Sequence, residues 1–236
     1  MTYRLDRTSV SLLTLISALF MLNAPPIQAT DYTQALGTIY CDGGIRGVAT
    51  HIEIKDDPDH SVIVSAAHVL YNPQTDQLFS QCHYRPQNKR LSGIAFKTIS
   101  THNYSVKNTD KIAQAEGDLV FIRLKNRAHQ PRLKLARDSL SEVLALSLIS
   151  PNLDSFKQVR CQKINHPHLK NDKLLLHNCP AQEGSSGSPI LDSASGDLIA
   201  VHGGRFIVQS AINNKTPQWI GQARRVDSKI TFSLSR

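Results

Sequence analysis

No CxxC pair stands anywhere in this 236-residue chain, so the spacing of a zinc site is missing. Long amphipathic helical patterns are missing too, as is any internal repeat. No stretch is biased enough in composition to read as disordered. The formal charge is +8, with 27 Lys and Arg against 19 Asp and Glu, but no dense basic stripe exists. The tightest cluster is "RAHQPRLKLAR" over 127–137. Nucleic-acid binding wants a concentrated face, so the charge reads as that of a soluble basic protein without a nucleic-acid partner. A long apolar run is lacking as well: Val10 to Leu22 (VSLLTLISALFML) falls short of the roughly 20 residues a membrane span needs.

That run follows Arg4 and Arg7 and precedes Pro25, Pro26 and Ala29. A basic start, a short apolar stretch and a small terminal residue make a cleaved export signal over residues 1–29. The mature chain, residues 30–236, is expected to begin near Thr30. It would be secreted or periplasmic, monomeric and without stable membrane insertion once the signal is removed. Arg4, Asp6 and Arg7 carry a net +1, so the mature charge is +7.

Four cysteines are present: Cys41, Cys82, Cys161 and Cys179. An even count in an exported chain suggests disulfides, and four cysteines allow three pairings. Cys161 and Cys179 flank a turn-like "HPHLKND" and can face each other across a hairpin, which leaves Cys41 with Cys82. "HPH" at 166–168 has no third ligand nearby in sequence. No metal or cofactor is expected.

The rest reads as many short strands. "LGTIYC", "GVATHIEI", "SVIVSAAH", "IAFKTIS", "DLVFIRLK", "VLALSLI", "KQVRCQKI", "KLLLHNC", "SPILD", "DLIAVHGG", "RFIVQSAI" and "QWIGQA" are rich in Val, Ile and Leu, and several alternate apolar with polar. Turn signals such as "DDPDH", "YNPQTDQ" and "SASGD" separate them. "GQARRVDSKI" (221–230) alone looks helical. The polar segment 126–141 lies mid-chain and is placed to link two strand-rich halves, and a cleft between such halves is a common ligand site.

Three local patterns occur in order: "SVIVSAAHVL" with His68, "EGDLVFIRLK" with Asp118, and "EGSSGSPI" with Ser186. Singly, each has an ordinary explanation: a core histidine, a strand-starting Gly-Asp, a turn serine. Together they are what nucleophilic catalysis by serine requires. A hydroxyl needs a base to take its proton, and the base needs a carboxylate to hold its tautomer and stabilise its cation. Gly184 permits a sharp backbone that aims the N–H groups of Gly184 and Ser186 at a substrate oxyanion. Gly187 keeps side chains out of the way of the substrate, and Ala66 and Ala67 allow close packing beneath His68.

On "SAAH" (65–68), "DLVFIRL" (118–124) and "GSSGSP" (184–189), in the order His, Asp, Ser, the chain resembles the chymotrypsin-like, or trypsin-like, serine peptidases over roughly 38–230. The resemblance implies an all-β fold of two six-stranded antiparallel β-barrels with a short C-terminal helix, barrel one over about 38–125 and barrel two over about 142–225. It implies endopeptidase activity on proteins or peptides through an acyl-enzyme, with His68 as base, Asp118 as its partner and Ser186 as nucleophile.

Ser185 stands where animal digestive members carry an aspartate that pairs with a freshly cut amino terminus, which argues against that style of zymogen activation. Val69 replaces a cysteine after the histidine. The pattern is closer to bacterial exported members similar to the glutamyl endopeptidases. By the resemblance, Pro180 lies at the base of the primary pocket, Glu183 near its rim, and His202 and Gly203 on the opposite wall. His202 is similar to the histidine with which glutamyl endopeptidases hold an acidic side chain; it is also what a strand-lining histidine would look like. The lean is toward small or acidic side chains. The competing reading is a catalytically silent chain on the same fold, acting as a protein-binding, virulence or signalling factor. An α/β-hydrolase esterase is opposed by Pro189 and the strand-rich flanks of Ser186, which leave no helix after the nucleophile.

Overall fold

Strand alternation, visible in the sequence, sets the first half of the molecule. The computed structural model describes residues 31–55, 57–87, 92–136, 145–152, 155–169, 171–208 and 218–226. The expected export signal over 1–29 lies outside the described residues. β1 (Leu36–Cys41), β2 (Gly44–Ile52), β3 (Val62–Ser65), β4 (Tyr71–Asn72), β5 (Gln77–Leu78), β6 (Cys82–Pro86), β7 (Ile94–Ile99) and β8 (Val120–Leu124) precede the mid-chain segment. Six of them close into a barrel in the order β1-β2-β3-β8-β7-β6, while β4 and β5 form a separate two-stranded hairpin. Closure leaves no unpaired edge. The β1–β2 connection is two residues, Asp42 and Gly43, both at positive φ (48° and 79°). That is the Asp-Gly turn whose twist suits a hairpin. Ile39, Ile63, Ile122 and Tyr84 fill the interior and are fully buried.

A helix unforeseen in the sequence, α1 (Lys111–Gly117), enters between β7 and β8. Asp110 caps it, its Oδ1 accepting from the N–H groups of Ile112 and Ala113 at 2.9 and 3.2 Å.

The second half holds β9 (Ala145–Asn152), β10 (Ser155–Gln162), β11 (Leu174–His177), β12 (Pro189–Asp192), β13 (Leu198–Val208) and β14 (Gln218–Arg225). They form one six-stranded sheet, ordered β10-β9-β12-β13-β14-β11. This corrects the expectation of a second closed barrel. The edge strands are joined by an isolated Lys163–His177 bridge, a 2.8 Å bond from Ile164 N–H to the Leu176 carbonyl, and the Cys161–Cys179 disulfide, rather than by a full ladder. "DLIAVHGG" and "RFIVQSAI" are not two strands; residues 198–208 run as one, with a bulge between His202 and Gly204.

The expected C-terminal helix is also corrected. Residues 221–225 belong to β14, and 227–236 lie outside the described residues. β14 is flanked by β13 and β11, so backbone bonds on both sides override local helical preference. Gly221 at its centre permits close approach: an added Cβ would lie 2.6 Å from His177 Nδ1.

The mid-chain segment straps the two halves through parallel bridges Ile52–Leu133 and Leu135–Leu198. Ile149, Leu191, Leu198 and Val201 belong to the same buried cluster as the barrel interior, and Leu146, Leu148, Leu175 and Ile190 form a second one.

Cys41 pairs with Cys82 across the β1–β6 register, and the two disulfides span 41 and 18 residues. Loop-closure entropy gives about 4 and about 3 kcal/mol respectively. Urea unfolding of Cys161→Ser/Cys179→Ser is expected to show a loss of about 3 kcal/mol. An unchanged midpoint would show that the bridge adds nothing to stability.

Candidate active site

The short turn after β3 presents His68. Residues 67–70 form one 3-10 turn, and Ala66 and Ala67 are completely buried under it. Asp118 follows α1 directly, two residues before the neighbouring strand β8 begins. Its helix ends at Gly117, where an added Cβ would meet the Asn103 carbonyl carbon at 2.7 Å. Asp118 is 3% exposed and both of its oxygens serve His68. Oδ1 accepts from the His68 backbone N–H at 2.9 Å, and Oδ2 from His68 Nδ1 at 2.7 Å. A buried carboxylate at that distance fixes the proton on Nδ1 and leaves Nε2 as the acceptor. Burial opposes charge on the ring, but the charge and hydrogen bond of Asp118 outweigh it and raise the His68 pKa above its ordinary value.

Ser186 is pinned to both halves by backbone. The Val48 N–H donates to the Ser186 carbonyl, the Gly187 N–H to the His202 carbonyl, and the His202 N–H to the Ser188 carbonyl, each at 2.8 Å. Gly187 sits at φ +84°, with Val48 O and Ser65 Oγ where a Cβ would go. Gly47 is wedged likewise: its Cβ would meet the Ser186 carbonyl and Val69 Cγ1, each at 2.6 Å. Ser186 is thereby brought beside the segment that carries His68. Among the described residues, no direct hydrogen bond joins its hydroxyl to that imidazole.

The N–H groups alternate along the turn. Ser185 N–H donates to the Gln182 carbonyl at 3.1 Å and Gly187 N–H to His202. Those of Gly184 and Ser186 reach no protein acceptor among the described residues. Gly184, at φ +84°, has nothing within 4 Å of the Cβ position. Two donors on alternate residues, 184 and 186, neither with a protein acceptor among the described residues, can stabilise an oxyanion. Ser185 is buried, and its Oγ accepts from the Gln182 N–H at 3.1 Å. Gln182 and Ser185 therefore hold each other reciprocally.

Beside Ser186 lies a cleft of about 520 Å³ lined by His177, Pro180, Glu183, Gly184, His202 and Arg205 among others. Pro180 and Glu183 are exposed, so the buried wall is made by histidines instead. Gly204 rather than Gly203 lines this cleft; Gly203 backs onto Asp118, whose Oδ2 would lie 2.7 Å from its Cβ.

His177 is the neighbour of this site that sequence reasoning missed. It closes the chain of tautomers. The Cys179 N–H donates to His177 Nδ1 at 3.1 Å, so His177 holds its proton on Nε2. That nitrogen lies 3.1 Å from His202 Nδ1, so His202 holds its proton on Nε2. Burial, then the nearby His177 and His68, push His202 down to about 3, and burial pushes His177 down to about 4. Both rings are neutral near pH 7. His202 thus offers an N–H donor, with the Arg205 guanidinium at the rim, stacked 4.6 Å from the Trp219 ring centroid.

Comparison with known proteins bears on the family and the fold. Residues 49–201 match the family described as the trypsin-like peptidase domain. Among solved structures, a thermostable serine protease from an extremophilic microorganism superposes with a TM-score of 0.59 at 13% identity, covering 83% of this chain and 93% of that one. Protease Anisep from Arthrobacter nicotinovorans gives 0.58 at 15% identity, covering 82% and 90%. A Glu endopeptidase gives 0.59 at 12%, covering 84% and 86%. At such identities the likeness is one of fold. No curated protein matches the chain.

Proposed function

The chain belongs to the trypsin-like peptidases, and from that premise we propose that it is an exported serine endopeptidase that cleaves after acidic residues. Membership of the family makes proteins or peptides its substrates. Ser186 Oγ attacks the scissile carbonyl while His68 Nε2 takes its proton. Asp118 holds the ring and stabilises the imidazolium, and the N–H groups of Gly184 and Ser186 receive the oxyanion. As the C–N bond breaks, His68 passes that proton to the leaving amine; the neutral ring then takes a proton from a water that attacks the acyl-enzyme, freeing the acid and restoring Ser186. The observation that carries this reading is the buried Asp118 gripping both nitrogens His68 offers it, ring and backbone.

The acidic preference rests on the His202 N–H and the Arg205 charge beside Ser186. A carboxylate there meets two donors, whereas a lysine meets Arg205. Residues 1–29 and two disulfides support action outside the cytoplasm. Among the described residues no helix is long and apolar enough to cross a membrane.

Cleavage profiling on a peptide library is the test. Glutamate before the scissile bond is expected to exceed glutamine about tenfold in kcat/KM, the worth of one charge-assisted hydrogen bond. A preference for lysine or arginine would overturn the pocket assignment. No cleavage of any peptide would overturn the enzyme.

A further inference from the structure

A second cleft, of about 690 Å³, opens on the other side of Gly184, against the outer face of the barrel. In the β1–β6 register Thr38 stands opposite Arg85 and Tyr40 opposite His83, so these four side chains share one face. The rings of Tyr40 and His83 stack with centroids 5.5 Å apart and planes 12° from parallel. The Arg85 guanidinium carbon lies 4.1 Å from the Tyr40 centroid. Stacking on an aromatic face fixes a guanidinium before any ligand arrives, which lowers the ordering cost of binding. Arg85 is exposed, makes no ion pair among the described residues, and is the cleft's sole charged lining residue among them. The rest of the wall is largely apolar: Ile45, 61% exposed, with Pro86, Pro151 and Phe156.

Gly184 lines both this cleft and the His202 cleft. A carbonyl held by the Gly184 and Ser186 N–H groups, with its own residue in the His202 cleft, sends the chain beyond the scissile bond toward Arg85. We infer that the β1–β6 cleft binds the leaving segment of the substrate and selects an acidic side chain there through Arg85. Ile45 and Phe156 take the methylenes of that side chain, and the planar guanidinium takes its carboxylate. This inference rests on the peptidase reading of the Ser186 site.

The experiment uses the mature, disulfide-bonded protein and peptides with an optimal residue before the scissile bond. Glutamate is compared with glutamine at each of the first three positions after it. The parent is expected to favour glutamate at one of them about fivefold in kcat/KM, equivalent to roughly 1 kcal/mol for a partly exposed charge pair. In Arg85→Gln that ratio is expected to fall to about one, and Arg85→Lys to restore part of it. Each ratio is internal to one protein, so small changes in folding or active fraction cancel. A parent ratio near one at all three positions, or a preference surviving in Arg85→Gln, would overturn the inference while leaving the peptidase reading intact. Failure of the parent to cleave either these peptides or a small chromogenic substrate would instead remove the peptidase reading, and this inference with it.

Discussion

Ser186→Ala is expected to lose about 10⁶-fold in turnover while retaining the fold. The substitution deletes one oxygen. The contacts that hold residue 186 are backbone ones, from the Val48 N–H to its carbonyl and from the Gly187 N–H to His202, and alanine keeps them. A loss this large from so small a change is what removal of a nucleophile produces; the free N–H groups at 184 and 186 still supply some catalysis over water. Peptide turnover and a thermal melt on the same preparation separate chemistry from stability. Mass spectrometry after a serine-directed covalent inhibitor should add one adduct to the parent and none to the variant. Turnover preserved in Ser186→Ala would sink the nucleophile assignment. A parent that binds peptides without cleaving them would point to the silent-scaffold alternative.

Asp118→Asn is expected to lower kcat by about 10⁴, by analogy with the same change in other triads. An amide can present its NH₂ to His68 Nδ1, which would put the imidazole proton on Nε2 and leave no acceptor for the serine. The pH profile carries a second, independent signature. His68 works as a base only when neutral, so kcat/KM should rise as the ring loses its proton. Burial disfavours the imidazolium, but Asp118 favours it more strongly, and the net shift is upward. The rising limb of the parent should therefore lie above the ordinary histidine value of 6.5. Without the Asp118 charge only the burial effect remains, so the limb of the variant should move to lower pH. A limb that stays put or moves up would show that Asp118 does not set the protonation of His68.

Parts of this architecture are legible in one dimension. β1 coincides with "LGTIYC" because alternation and the Asp-Gly turn are both local signals. The Cys161–Cys179 pairing follows from an intervening hairpin. His68 and Asp118 are 50 residues apart, yet each sits at the end of a recognisable pattern. Other features depend on pairing that sequence does not display. The seven residues of α1 are too few to show a helical period, although Asp110 and Gly117 are ordinary start and stop residues. β14 reads as helical until β11 and β13 flank it. The meeting of His177 with His202 requires β11 to lie beside β14 and β14 beside β13, a result of the order of a sheet spanning some eighty residues of chain. The incomplete closure of the second sheet is hidden for the same reason: whether edge strands meet along a full ladder or at a few isolated bonds is a matter of register.

The reciprocal clasp between Gln182 and Ser185 bears on timing. In a hydrolase whose oxyanion cradle leans on a newly exposed terminus, folding and competence are separate events, and a cut elsewhere decides when the second occurs. Here the cradle is braced from within four consecutive residues. For the proposed peptidase this bend takes its brace from its own chain and not from a terminus freed by a cut elsewhere.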